Sequence, residues 1–302
     1  MTELTSNVVD TALIFEGGGM RASYTCAVAV ALLEAGIHID WVAGISAGAS
    51  NTANYVARDP ARTRRCFVDF TGDPSFGGMH SLIHGNGYFN AHYIYEQTGA
   101  PNQALPFDWG TFYNNPARAT VGAVRMDTGE QVWFDKDDKL TMPDLMSRVR
   151  ASSTMPGLMP PVNINGVDYV DGALGPDGGI ALDRAQADGF TKFLVVLTRE
   201  RSYVKPEPDR ATRALYRSMF RHHPAVVDAL MHRHSGYNAT REELFDLEAS
   251  GQAYLFTPDQ MVVKNIERNV ERLRASYRRG AAQAARELPA MADFLKVEIP
   301  GR

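Results

Sequence analysis

The 302-residue chain holds 44% hydrophobic and 22% charged residues, the balance of a folded globular protein, which excludes a disordered, collagen-like or coiled-coil chain. A net charge of −4 argues against a dedicated nucleic-acid binder. Two cysteines, Cys26 and Cys66, are too few for a disulfide framework. The longest apolar run, Cys26 to Leu33, falls far short of the roughly 20 residues a membrane-spanning helix needs.

Met1 to Asp10 carries acidic residues and no basic stretch ahead of an apolar one, so it does not read as a secretory signal, and a cytoplasmic protein is expected. Thr11 to Phe15 is a short apolar β-type run that stops at Glu16 and three glycines, Gly17, Gly18 and Gly19. Met20 to Ala35 reads as a helix ending at Gly36, a natural C-cap glycine. Trp41 to Ala43 is a second β-type run, followed by Gly44-Ile45-Ser46-Ala47-Gly48 and a helix to about Arg58. Two strand-loop-helix units in succession predict a parallel sheet covered by helices. Further on, Phe76 to Asn90 reads as a glycine-rich loop before a helix over 91–97. Residues 119–134 read as strands around a Thr128-Gly129 turn, and residues 140–153 as a helix. Tyr169-Val170 and Phe193 to Thr198 read as strands, and the chain beyond about Pro206 as mostly helical and arginine-rich.

Three adjacent glycines between a strand and a helix leave backbone N–H groups uncovered at the positive end of a helix dipole. Such a loop binds anions, either a phosphate or the oxyanion of an acyl-transfer intermediate. Gly17 to Ala22 also fits the dinucleotide pattern G-x-G-x-x-A, but Asp40, the acid nearest the required spacing, precedes the second strand instead of ending it. A plain tight turn is the third option. Gly44 to Gly48 is a G-x-S-x-G motif in the strand-to-helix context that thrusts the serine outward; read blandly, Ser46 is a helix N-cap. Both loops fall at the carboxyl ends of successive parallel strands, which makes them neighbours.

A serine nucleophile beside an oxyanion cradle lacks only a base. None of the eight histidines follows a convincing strand; His80 and His84 lie in the glycine-rich loop within reach of a substrate. Asp171, delivered by Tyr169-Val170 into an Asp-Gly turn, is the better candidate, with Asp177 in Pro176-Asp177-Gly178-Gly179 as competitor and a structural turn as the bland reading.

Gly-Gly-Gly-Met-Arg at 17–21, Gly-Ile-Ser-Ala-Gly-Ala at 44–49, and the block from Ala151-Ser152-Ser153 through Pro156, Pro161 and Gly166 to Asp171-Gly172-Ala173 together resemble the patatin-like phospholipases, the small bacterial members most. The resemblance covers about residues 11–200. It implies a three-layer α/β/α fold with a mostly parallel central sheet, a Ser46-Asp171 dyad without a catalytic histidine, and lipid ester hydrolysis. It also implies an oxyanion region of Gly17, Gly18, Gly19 and Arg21, and an elbow at Gly44 and Gly48. Ala22 stands where the family often has glycine. Arg21, placed at an exposed helix start, is open to two roles, steadying the loop or meeting a lipid headgroup. The competing reading is a non-catalytic or nucleotide-binding α/β protein that uses the Gly17 to Ala22 loop.

The expected division is a catalytic core at 1–205 and a helical region at 206–302 packed on it, within what can be a single domain. Residues 199–302 hold 18 basic and 14 acidic side chains, the reverse of the acidic first two thirds. Arg210, Arg213, Arg217 and Arg221 recur at helical spacing around Leu215, Tyr216, Met219 and Phe220, which suits either an anionic membrane surface or a basic solvated face. No metal or other cofactor is expected, and the partner is a lipid or other ester.

Overall fold

The computed structural model describes residues 4–137 and 139–299. Five parallel strands form the centre of an eight-stranded sheet: β1 (Val8–Phe15), β2 (Ile39–Ile45), β3 (Arg118–Arg125), β7 (Phe193–Val196) and β8 (Ala253–Phe256), in the order β3-β2-β1-β7-β8. The antiparallel strands β4 (Gln131–Asp135) and β6 (Val167–Asp171) both pair with β3, and β5 (Val162–Ile164) pairs with β6. Asn165 and Gly166, at φ 52° and 85°, form the two-residue turn of the β5-β6 hairpin, where left-handed backbone is required.

The helices are α1 (Ala22–Glu34), α2 (Ala47–Val56), α3 (Pro60–Phe67), α4 (Met79–Ile83), α5 (Trp109–Asn114), α6 (Met142–Ser152), α7 (Leu182–Ala187), α8 (Arg210–Met219), α9 (Pro224–Ala249) and α10 (Val270–Leu295). Residues His92–Gln97 make a π-helical segment where an ordinary helix is expected. Alternate side chains of the central strands feed two cores, as the pleat dictates. Leu13, Phe15, Val42, Leu194 and Val196 pack with Val28 and Leu32 of α1 and with α2, α6 and α10. Ala12, Ile14, Trp41, Ala43, Phe193 and Val195 pack on the other side with Leu182 of α7 and Tyr237 and Leu244 of α9. The result is the three-layer α/β/α architecture with a mixed, mostly parallel sheet.

α1 is buried on nearly all sides because α3 and α10 cover it; where α10 crosses, a side chain at Gly280 would stand 2.1 Å from the Tyr24 carbonyl oxygen. Gly36, at φ 70°, ends α1 with the Gly36 N–H on Leu33 O and the Ile37 N–H on Leu32 O, a paired C-terminal closure. The region beyond 206 is not all helix: β8, a four-residue strand between α9 and α10, extends the sheet beside β7. No helix among the described residues is long and apolar enough to cross a membrane.

Candidate active site

β2 ends at Ile45, and the chain turns into α2 through Ser46 alone, held at φ 57° and ψ −126°. A non-glycine residue there costs about 1–3 kcal/mol, so the surroundings must enforce it. They do so by close approach: a side chain at Gly44 would stand 2.2 Å from Gly48 O, and one at Gly48 only 2.0 Å from Phe15 O. The Ser46 N–H donates to Ser152 Oγ at 2.9 Å, and that hydroxyl donates in turn to Gly122 O at 2.6 Å. Ser152 closes α6, whose start is fixed by a capping box between Thr141 and Asp144. The Ser46 side chain makes no cap to α2, which overturns the N-cap reading; its hydroxyl donates to Asp171 Oδ2 at 2.8 Å.

Sheet register explains this meeting. β2 pairs along one edge of β3 as far as Ile45 opposite Gly122, and β4 occupies the other edge opposite Thr120 to Val124. β6 pairs with Ala123 to Arg125, so it must take the same edge as β2, just beyond its end. Asp171 opposite Ala123 therefore follows Ile45 opposite Gly122, and the carboxylate arrives end-on at Ser46. Its Oδ1 accepts the Ala173 N–H at 2.9 Å. Burial raises the Asp171 pKa above the ordinary carboxylate range, against the pull of Arg233, the Ala173 N–H, the Ser46 hydroxyl and Lys205.

The glycine loop lies against the serine: a side chain at Gly17 would stand 3.0 Å from Ser46 Cβ. Its N–H groups are not equivalent. Gly17 donates to Gly179 O at 3.1 Å, Met20 to Asn265 O at 2.9 Å and Arg21 to Gly18 O at 3.2 Å, whereas the Gly18 and Gly19 N–H groups have no partner among the described residues. Gly17 therefore contributes close approach and not a donor. Arg21 departs from expectation: it is buried, not at an exposed helix start, and points away from Ser46 to Thr198, with Nε 3.4 Å from Oγ1. The Asn265 carbonyl covers the loop at Gly19, where a pyrophosphate would need open space.

Ser46 and Gly19 open onto a mainly apolar cavity walled by Met20, Phe67, Phe70, Phe76, Met155 and Met159, among others. His80 and His84 are exposed on and beside α4 with their rings stacked 4.1 Å apart, and neither lines this cavity. Asp177 does not face Ser46. Its Oδ1 accepts the Gly179 N–H at 3.0 Å, so it braces the turn that holds Gly17.

Burial pushes the Asp177 carboxyl up to about 8, and its Oδ2 is buried without a partner. The folded state thus holds a proton that the unfolded chain releases near pH 4, so its contribution to stability is present below that range and is lost as pH rises toward 8. Stability should fall by about 1.4 kcal/mol per pH unit through that window. Thermal unfolding of wild type beside Asp177→Asn between pH 5 and 8 should show a steeper decline for wild type; parallel curves would refute this.

Sequence reasoning had no role for Ser152 or Asn265. Ser152 sits inside the Ala-Ser-Ser block that carried the resemblance, but its partners, Ser46 just past β2 and Gly122 of β3, are distant in sequence. The model of the patatin-like phospholipases matches residues 13–180, and the chain belongs to that family. A second model, of a domain family of unknown function, matches residues 223–296. The uncharacterised protein YjjU of Escherichia coli (strain K12) is 26% identical over 190 residues, 62% of this chain and 51% of YjjU, so the match spans about half the length of that curated relative. Among solved structures, VipD from Legionella pneumophila is 14% identical with a TM-score of 0.47, over 93% of this chain and 67% of VipD.

Proposed function

We propose that the protein is a serine lipid acyl hydrolase of the phospholipase A or lysophospholipase type. The observation that carries this reading is the 2.8 Å hydrogen bond from Ser46 Oγ to Asp171 at the mouth of an apolar cavity. Asp171 takes the proton as Ser46 attacks the ester carbonyl, and the free N–H groups of Gly18 and Gly19 hold the oxyanion, with Gly17 shaping the cradle. The proton passes to the departing alcohol, leaving an acyl-serine. Water activated by Asp171 then releases the fatty acid. Burial, by raising the affinity of Asp171 for a proton, makes it a stronger base than an exposed carboxylate. The cavity receives the acyl chain, as a mainly apolar lining requires.

Incubation with a synthetic phosphatidylglycerol and its lysophospholipid, followed by mass spectrometry, should show free fatty acid with wild type and none with Ser46→Ala. Equal release by both proteins, or none by wild type on any acyl ester, would overturn the reading.

Residues 206–302 complete the catalytic unit, since β8 extends the sheet and α10 covers α1. They also offer a membrane-facing edge. No side chain of α8 is buried; Leu215 and Met219 are 54% and 49% exposed, and Met79 and Ile83 of α4 are 62% and 76% exposed. Met219 lies over Gly157, in the same segment as the cavity-lining Met155 and Met159. Arg210, Arg217 and Arg221 add exposed positive charge beside these apolar tips, which suits a peripheral contact with an anionic bilayer. Sedimentation with phosphatidylglycerol vesicles should fall at least about fivefold for Leu215→Glu/Met219→Glu; unchanged sedimentation would refute the contact.

A further inference from the structure

Most of the wall of the cavity beside Ser46 is apolar, but three hydroxyl-bearing residues, Ser50, Tyr95 and Ser153, also line it. The proposed chemistry uses none of them. Ser50 stands one helical turn beyond Ser46 on α2, about 6 Å further along the axis. Ser153 directly follows Ser152, the residue whose hydroxyl accepts the Ser46 N–H. Tyr95 is carried by the π-helical segment His92–Gln97, a rare geometry that recurs at functional sites. The neighbouring Glu96 accepts from Arg150 of α6 at 2.6 Å, so the helix that delivers Ser153 also anchors the segment that delivers Tyr95.

The three hydroxyls converge without closing on one another. Ser50 and Ser153 are 8% and 6% exposed, and the Oγ of each is buried with no hydrogen-bond partner among the described residues. Burial raises the Tyr95 pKa, and Ser153 and Ser50 pull it back down, which places both serines beside the phenol. Cys66 and the charge of Asp171 raise it again, so the group lies within electrostatic reach of the dyad. Tyr95 is thus a neutral phenol, able to donate and to accept. The other polar groups of the wall are engaged: Arg62 donates to Asn54 Oδ1 and Pro106 O, and Cys66 Sγ accepts from Asn54 Nδ2 at 3.4 Å. A plain hydrocarbon chain filling this cavity would leave the buried serine hydroxyls unpaired, which is costly.

We infer that Ser50, Tyr95 and Ser153 form a specificity seat for a hydroxyl group on the acyl chain, close to the ester carbonyl. This rests on the proposed hydrolase reading and narrows its substrate to esters of hydroxyacyl chains. A chain joined to Ser46 runs along the face of α2 that lines the cavity, Ser46, Ala47, Ser50 and Ala53, and the first polar group it meets there is Ser50. A substrate hydroxyl donates one hydrogen bond and accepts others, so it pairs with the serine and tyrosine hydroxyls in either direction. A chain lacking it satisfies none of them, and a cavity built to pair a hydroxyl discriminates against that chain.

Turnover and calorimetry with racemic methyl 3-hydroxyhexanoate beside methyl hexanoate test the seat. Wild type should favour the hydroxy ester at least about tenfold in kcat/KM, and folded Ser46→Ala protein should bind it at least about tenfold more tightly without turnover. Tyr95→Phe, and Ser50→Ala combined with Ser153→Ala, should each bring both preferences below about threefold, by weakening the hydroxy ester and favouring the plain one. General structural damage would slow both esters and leave their ratio alone, so the ratio is the readout. Equal handling of the two esters by wild type and by Ser46→Ala, or a preference that survives both variants, would overturn the seat while leaving the hydrolase reading intact. If the variants instead slow both esters equally and accumulate acyl-Ser46 on intact-mass analysis, the hydroxyls hold the hydrolytic water and the acyl-chain assignment is overturned. Selective binding of the hydroxy ester by a wild-type protein that cleaves no ester would sink the hydrolase reading and leave the seat standing.

Discussion

Alanine at Ser46 is expected to lower kcat/KM for acyl esters by at least about 10⁴-fold while leaving the protein folded. The separation of the two effects follows from the elbow. Serine and alanine carry the same burden at φ 57°, because both have a Cβ and neither is branched. The close approaches that force the turn belong to Gly44 and Gly48, and the hydrogen bond that steadies it belongs to the Ser46 N–H, all of which survive the substitution. What is lost is one buried hydroxyl-to-carboxylate hydrogen bond, a change of about 1–3 kcal/mol. A folded Ser46→Ala protein with more than a hundredth of wild-type activity would remove Ser46 from the mechanism.

Asparagine at Asp171 should reduce turnover by about 10³–10⁴-fold, since the amide keeps the shape and the acceptor for Ala173 but cannot take the serine proton. The same substitution should raise stability at neutral and higher pH. Burial places the folded-state pKa of Asp171 above its unfolded value, so the native state binds the proton more tightly. The stabilising contribution is therefore full below the unfolded pKa near 3.8 and is lost as pH rises through the folded value. Ionised Asp171 is thus a local burden that the proposed mechanism requires. Two measurements check this together. The acid limb of wild-type kcat/KM should lie above the ordinary carboxylate range, and the thermal midpoint of Asp171→Asn should exceed that of wild type at pH 8. A lower midpoint there would contradict the electrostatic account of the site.

Much of this arrangement was legible in the chain because its signals are local. A β-type run stopping at three glycines, and a second stopping at a G-x-S-x-G turn, each define a strand, a loop and a helix within a few residues. The structure keeps both units at neighbouring carboxyl ends. Asp171 was legible as a carboxylate at a strand end, but the reason it meets Ser46 was not: it depends on β6 taking the edge of β3 that β2 vacates after Gly122. β8 escaped notice because Ala253 to Phe256 is only four residues long between two 26-residue helices. Arg21 misled for a different reason. Beside a helix start an arginine reads as exposed, yet this one is buried and its Nε meets Thr198, distant in sequence. The division of labour among the glycine N–H groups likewise depends on Gly179 and Asn265, which no local pattern connects to the loop.

Intact-mass analysis after treatment with a fluorophosphonate tests the Ser46-Asp171 pairing most directly, because the probe reacts with an activated serine whatever the physiological ester. Wild type should gain a single adduct that maps to Ser46, Asp171→Asn should label far more slowly, and Ser46→Ala should not label at all. An adduct that persists in Ser46→Ala, or an unlabelled, correctly folded wild type, would contradict the account.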